Sequence, residues 1–175
     1  MNAKVQKGDV IRQGMWVEEG NTFCLQKNNN ATVCGSLFVH WLKVRGNHLS
    51  EQARVILLRD IVKISVQSIK FRILKGSIMP SGKRNMNTVL NKKAVISGLR
   101  TPDSTAVRLF FETVRASDMK EMGFKNILLP GEEKIRGGEI CRLFVRKQEG
   151  SVFIGTYIEE KKDRWNDDTG FLFVE

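Results

Sequence analysis

In Val62-Lys63-Ile64-Ser65-Val66-Gln67 apolar and polar side chains alternate strictly, as in a strand with one buried and one solvated face. The alternation resumes at Ile69-Lys70-Phe71-Arg72-Ile73, with its phase shifted by one at Gln67-Ser68. A period of two cannot slip without a bulge or a break, because every side chain would otherwise change face. In either case Lys63, Lys70 and Arg72 point away from the core and Phe71 points into it. Further strands are expected at Met15–Glu18, Thr22–Gln26, Val33–Arg45, Lys93–Ile96, Ala106–Arg115, Ile140–Arg146, Ser151–Glu159 and Phe171–Val174, all rich in Val, Ile, Phe and Thr.

Two helices fit the pattern. Ser50 is placed to cap one running from Glu51 to about Leu58, and Glu51 suits the positive end of its dipole. Ser117 is placed to cap a second over Asp118–Met122, ended by Gly123. Pro80-Ser81-Gly82-Lys83-Arg84-Asn85 carries the strongest loop signal, followed by Asn28-Asn29-Asn30 and the stretch 131–138. Strands that outnumber helices and follow one another through short turns predict an α+β fold, a mainly antiparallel β-sheet domain with a few short helices, with a β-sandwich carrying helical insertions as the alternative. The expected organisation is a short N-terminal arm over 1–14 and a single β-rich domain over 15–175, with a basic loop around 76–93.

Charge changes this picture from a fold to a class of partner. No acidic residue occurs between Asp60 and Asp103, while Lys63, Lys70, Arg72, Lys75, Lys83, Arg84, Lys92, Lys93 and Arg100 all fall there. Residues 1–100 hold 17 Lys/Arg against 5 Asp/Glu, and residues 101–175 hold 12 against 14, so the net +10 belongs to the first part. Segregated positive charge attracts polyanions. Outward Lys63, Lys70, Arg72 and Lys75 would line a strand, with Lys83, Arg84, Lys92 and Lys93 extending the surface on a loop. Lysine and arginine neutralise phosphates without regard to sequence, and that affinity falls steeply with salt. Base stacking has little support, since Phe71 is the single aromatic in the stretch and faces inward. An anionic membrane surface is a further candidate partner, with Ile78 and Met79 at a loop tip beside Pro80 as the contact.

Enzymatic chemistry finds no footing. Cys24, Cys34, His40 and His48 lack the close pairing of structural zinc ligands, so no metal is expected. Any chain with three cysteines and two histidines offers Cys/His pairs, and Cys141 sits in an alternating run that reads as packing. The segment from Gly76 to Lys83 departs from a phosphate loop in its glycine spacing, its proline and the Arg84 that follows. No cofactor is expected. An odd number of cysteines and an N-terminus without an apolar stretch predict an intracellular, reduced protein that is not secreted. No apolar run approaches the ~20 residues of a membrane-spanning helix.

Gly155-Thr156-Tyr157-Ile158-Glu159-Glu160-Lys161-Lys162, followed by Trp165, resembles the penultimate strand and turn of rhabdovirus matrix proteins, particularly the short ones of plant-infecting members. The resemblance implies a non-enzymatic virion structural protein that condenses nucleocapsid or RNA, self-associates as a homo-oligomer and contacts the inner leaflet of an envelope. A location in the host cell and the virion goes with it. Leu58-Arg59-Asp60 with Gly76 downstream is similar to the sparse signature of viral movement proteins of the thirty-kilodalton type. That alternative implies a movement-type protein that binds single-stranded nucleic acid, and a nucleic-acid-binding accessory protein of a virus or mobile element is a further candidate. In the structural-protein reading the near-neutral C-terminal half, with the mixed cluster from Glu159 to Arg164, is the candidate for self-association.

Overall fold

The computed structural model describes residues 17–19, 22–29, 35–59, 67–76, 98–131, 133–134, 138–158 and 166–175. The strands are β1 (Val17–Glu19), β2 (Thr22–Asn29), β3 (His48–Leu49), β4 (Gln67–Lys75), β5 (Asn126–Leu128), β6 (Glu133–Lys134), β7 (Ile140–Lys147), β8 (Val152–Tyr157) and β9 (Thr169–Val174). The helices are α1 (Gly35–Val44), α2 (Glu51–Arg59), α3 (Ser104–Thr113) and α4 (Ala116–Glu121).

The class is α+β, and the sheet is mixed, which corrects the expectation of a mainly antiparallel one. Strand order is β1-β2-β4-β9-β5-β7-β8-β3, with β6 on β7. Parallel pairing occurs in the middle, where β5 lies beside β9, and at the edge, where β3 lies beside β8. Both come from connections longer than a hairpin turn. A strand that reaches its neighbour through a crossover need not reverse direction, and short-range turn signals cannot reveal that.

Alternation along the strands feeds two apolar clusters, one on each side of the sheet. The larger joins Ile69, Phe71 and Ile73 of β4 to Phe38 and Leu42 of α1, Ile56 of α2 and Phe110 of α3. The Phe71 and Phe110 rings lie 6.0 Å apart and pin β4 to α3. The smaller cluster, on the opposite face, gathers Leu99, Leu128, Phe144, Phe171 and Phe173, with Leu74 packed against it. Each fully buried phenylalanine stabilises the fold by about 1.5–3 kcal/mol relative to exposure.

Several expected elements take these forms. Residues 69–73 lie within β4, and the expected strands at 22–26, 140–146, 151–159 and 171–174 correspond to β2, β7, β8 and β9. The helix from Glu51 is α2, and the amide of Ala53 donates to Ser50 Oγ at 3.2 Å. The second helix begins two residues before the expected Asp118, at Ala116, and Gly123 behind it adopts φ +82°. Two expected strands are helices instead: α1 lies within 33–45, and α3 starts two residues before 106 and covers the stretch as far as Thr113. The stretch 131–138, expected as a loop, contains the short β6, and Asn28 and Asn29 belong to β2. The strands expected at 62–67 and 93–96 lie outside the described residues, except for Gln67, as do the N-terminal arm and most of the 76–93 loop. Among the described residues no helix is long and apolar enough to cross a membrane.

Candidate polyanion-binding surface

Strand β4 places Lys70 and Arg72 two residues apart, on the face opposite the helices. The neighbouring β9 runs antiparallel to it, with Arg72 opposite Phe173 and Phe71 opposite Val174. That register brings Glu175 beside both cations. Lys70 Nζ lies 2.9 Å from Glu175 Oε2, and Arg72 Nε donates to Oε1 of the same carboxylate. The backbone fixes the geometry, since the Glu175 amide donates to the Lys70 carbonyl at 2.9 Å. Hydrogen bonds from Lys70 first, then Arg72, hold the Glu175 carboxyl below the usual glutamate range.

A third cation joins from a segment that the strand pattern did not mark. Arg100 bridges to Val174, with its amide 2.7 Å from the Val174 carbonyl and its carbonyl accepting from Val174 at 2.9 Å. Arg100 Nη2 donates to the main-chain oxygen of Glu175 at 3.2 Å. Lys70, Arg72 and Arg100 therefore surround one residue and hold its oxygens. A phosphodiester offers the same kind of acceptor, two oxygens sharing a negative charge, and charge-assisted bonds to it are of the strong kind.

Of the residues expected to form the basic surface, Lys70 and Arg72 stand together. Lys75 does not join them. It pairs with Gly170, and strand alternation puts it with Phe71 and Ile73 on the helix-packed side. Its odd number, beside even-numbered Lys70 and Arg72, carried that signal in the sequence. Lys63, Lys83, Arg84, Lys92 and Lys93, together with Ile78 and Met79, lie outside the described residues. Sequence reasoning missed Glu175, because a stretch without acids along the chain is not a surface without acids in space.

Of the groups weighed for catalysis, Cys34 lies outside the described residues, and His40, His48 and Cys141 lie on three different elements. His40 is exposed on α1 and His48 is exposed on β3. Cys141 is a buried free cysteine within the main core, and burial pushes its thiol pKa up. That is the opposite of what an activated nucleophile needs. Among the described residues no group of three His, Cys, Asp or Glu could hold a metal ion.

No protein family matches the chain, and no curated protein or solved structure matches it.

Proposed function

We propose that the protein is a non-enzymatic, matrix-like viral structural protein that binds RNA or nucleocapsid electrostatically. The observation that carries the reading is the grip of Lys70 and Arg72 on a single carboxylate, with Arg100 beside it. Two cations already positioned around an anionic group lose little side-chain freedom when a phosphate takes its place. The concentration of basic residues between Asp60 and Asp103 supports a chain of phosphates over a single anion. Self-association and contact with an anionic membrane belong to the same proposal. They draw on the resemblance of the segment from Gly155 to Trp165, of which Gly155–Tyr157 forms the end of β8.

The test is binding to a single-stranded RNA across a salt series. Lys70→Glu/Arg72→Glu should weaken binding and make the log–log salt slope shallower by about 1.4, at about 0.7 for each lost phosphate contact on a single strand. Lys83→Glu/Arg84→Glu/Lys92→Glu/Lys93→Glu probes the loop in the same way. Glu175→Gln, which removes the internal competitor, should tighten binding. Wild type that ignores RNA at low salt sinks the proposal, and anionic vesicles become the next ligand to try.

A further inference from the structure

A second collection of cations lies at the ends of other elements, and it is built from residues far apart in the chain. Arg45 follows α1, Arg115 sits between α3 and α4, Lys120 lies on α4 and Lys147 ends β7. All four line one cleft of about 880 Å³, large enough for a small ligand. Among the described lining residues Glu149 is the one acid, so four cations less one acid give that lining a net charge of +3. Val114, which is buried, gives the cleft an apolar wall, and Asn47 and Ser117 contribute neutral polar groups.

The positions are held by backbone. The Arg45 guanidinium donates from Nη1 to the Glu112 carbonyl at 2.6 Å and lies 4.6 Å from the Trp41 ring centroid. The Arg115 amide donates to Asp118 Oδ2 at 3.1 Å where α4 begins. The Lys147 amide donates to the Lys125 carbonyl at 2.8 Å, and Gln148 closes the following turn on Ser151 at 3.0 Å. Bringing four like charges to one concavity raises the free energy of the empty cleft, and a bound polyanion offsets that repulsion. The cleft also focuses the field, because its walls exclude solvent.

We propose that this cleft binds a ligand carrying at least two phosphate charges, held by Arg45, Arg115, Lys120 and Lys147. It is distinct from the Lys70–Arg72 pair. Lys147 shares its strand face with Leu143 and Val145 of the helix-side core, whereas Lys70 and Arg72 occupy the other side of the sheet. It therefore stands whether or not β4 binds RNA.

The phosphates could belong to a free nucleotide or to an RNA chain, and calorimetric titration of the full chain with ADP and with a short oligouridylate separates the two. Lys120→Glu/Lys147→Glu should weaken binding by about tenfold for each cation reversed. Lys120→Gln/Lys147→Gln should lose less, which distinguishes lost charge from lost folding. Trp41 emission should change on binding, because Arg45 lies over its ring, and Trp41→Phe should abolish that change. ADP affinity lost in the cleft variant assigns a free nucleotide. Oligouridylate affinity lost there, with no ADP binding, assigns RNA. Binding of neither probe at low salt, or binding indifferent to Lys120 and Lys147, overturns the proposal.

Discussion

A methyl group on Gly170 would sit 2.6 Å from Ile73 Cγ2 and 3.2 Å from the Phe124 ring. Both neighbours belong to the packed core and neither is the far end of a flexible chain. Gly170→Ala should therefore destabilise the protein by about 1–3 kcal/mol through overpacking. A lower midpoint of urea unfolding with an unchanged slope would register it. Cys141 makes a second case. With its thiol buried and its pKa raised, a Cys24→Ser/Cys34→Ser variant should react with a thiol reagent only as fast as the native state opens. Labelling as fast as a free thiol would contradict the core position. Glu175 is the third. Its folded pKa is depressed, so the ion pairs stabilise above the ordinary glutamate range and that stability is lost as pH falls through the folded value. The stability difference between wild type and Glu175→Gln should be below about 1 kcal/mol near neutrality, as for exposed pairs, and vanish in acid. Cys141 was legible as packing from its alternating run, whereas the roles of Gly170 and Glu175 were not. Gly170 reads as an ordinary strand glycine and Glu175 as a solvated acid until β4 and β9 are paired.

The elements divide by the kind of signal that defines them. Strands β4, β7, β8 and β9 show apolar alternation or apolar runs, and the sequence pattern located them. α1 and α3 are rich in Val and Phe, a composition that favours strands, yet tertiary packing overrides it. In α1 the buried side chains are Phe38, Val39 and Leu42, spaced i, i+1 and i+4, which is a helical face. In α3 four consecutive residues are buried, Arg108, Leu109, Phe110 and Phe111, so burial there is wider than a single helical stripe. A cap signal was present all the same. Asp103 follows Pro102, and its Oδ1 accepts from the Ala106 amide at 2.8 Å. Asp103→Ala should cost about 1 kcal/mol of stability, within the usual range for a lost N-cap. A melt of that variant indistinguishable from wild type would show that packing alone holds α3. Short β3, β5 and β6 lacked any period of their own, being two or three residues long and defined by their partners.

At the scale of the molecule, charge along the chain and charge in space differ. The first hundred residues carry the excess, but Glu175 from the near-neutral part sits on Lys70 and Arg72. Arg115, Lys120 and Lys147 from that same part join Arg45 around the cleft. A net charge of +10 disfavours compaction through self-repulsion. Raising sodium chloride from about 10 mM to about 0.15 M shortens the screening length from about 30 Å to about 8 Å, and the melting temperature should rise. At matched ionic strength, phosphate should raise it further than chloride if either cation cluster binds anions, since ligands that bind the native state stabilise it. Equal effects of the two salts at every concentration would argue against both sites.

The sequence by itself determined the strand-rich α+β character, the strand core of β4 with Phe71 inward and Lys70 and Arg72 outward, the Ser50-capped α2, and a net positive chain suited to anions. Those features rest on local periodicity, capping and composition, which a linear chain already contains. Tertiary structure alone decided the parallel pairings, the placing of Glu175 between two cations and the assembly of the cleft, and it made α1 and α3 helical against a composition that favours strands. Each of these depends on contacts between residues tens of positions apart. Such contacts follow from how faces pack, and no local pattern encodes them.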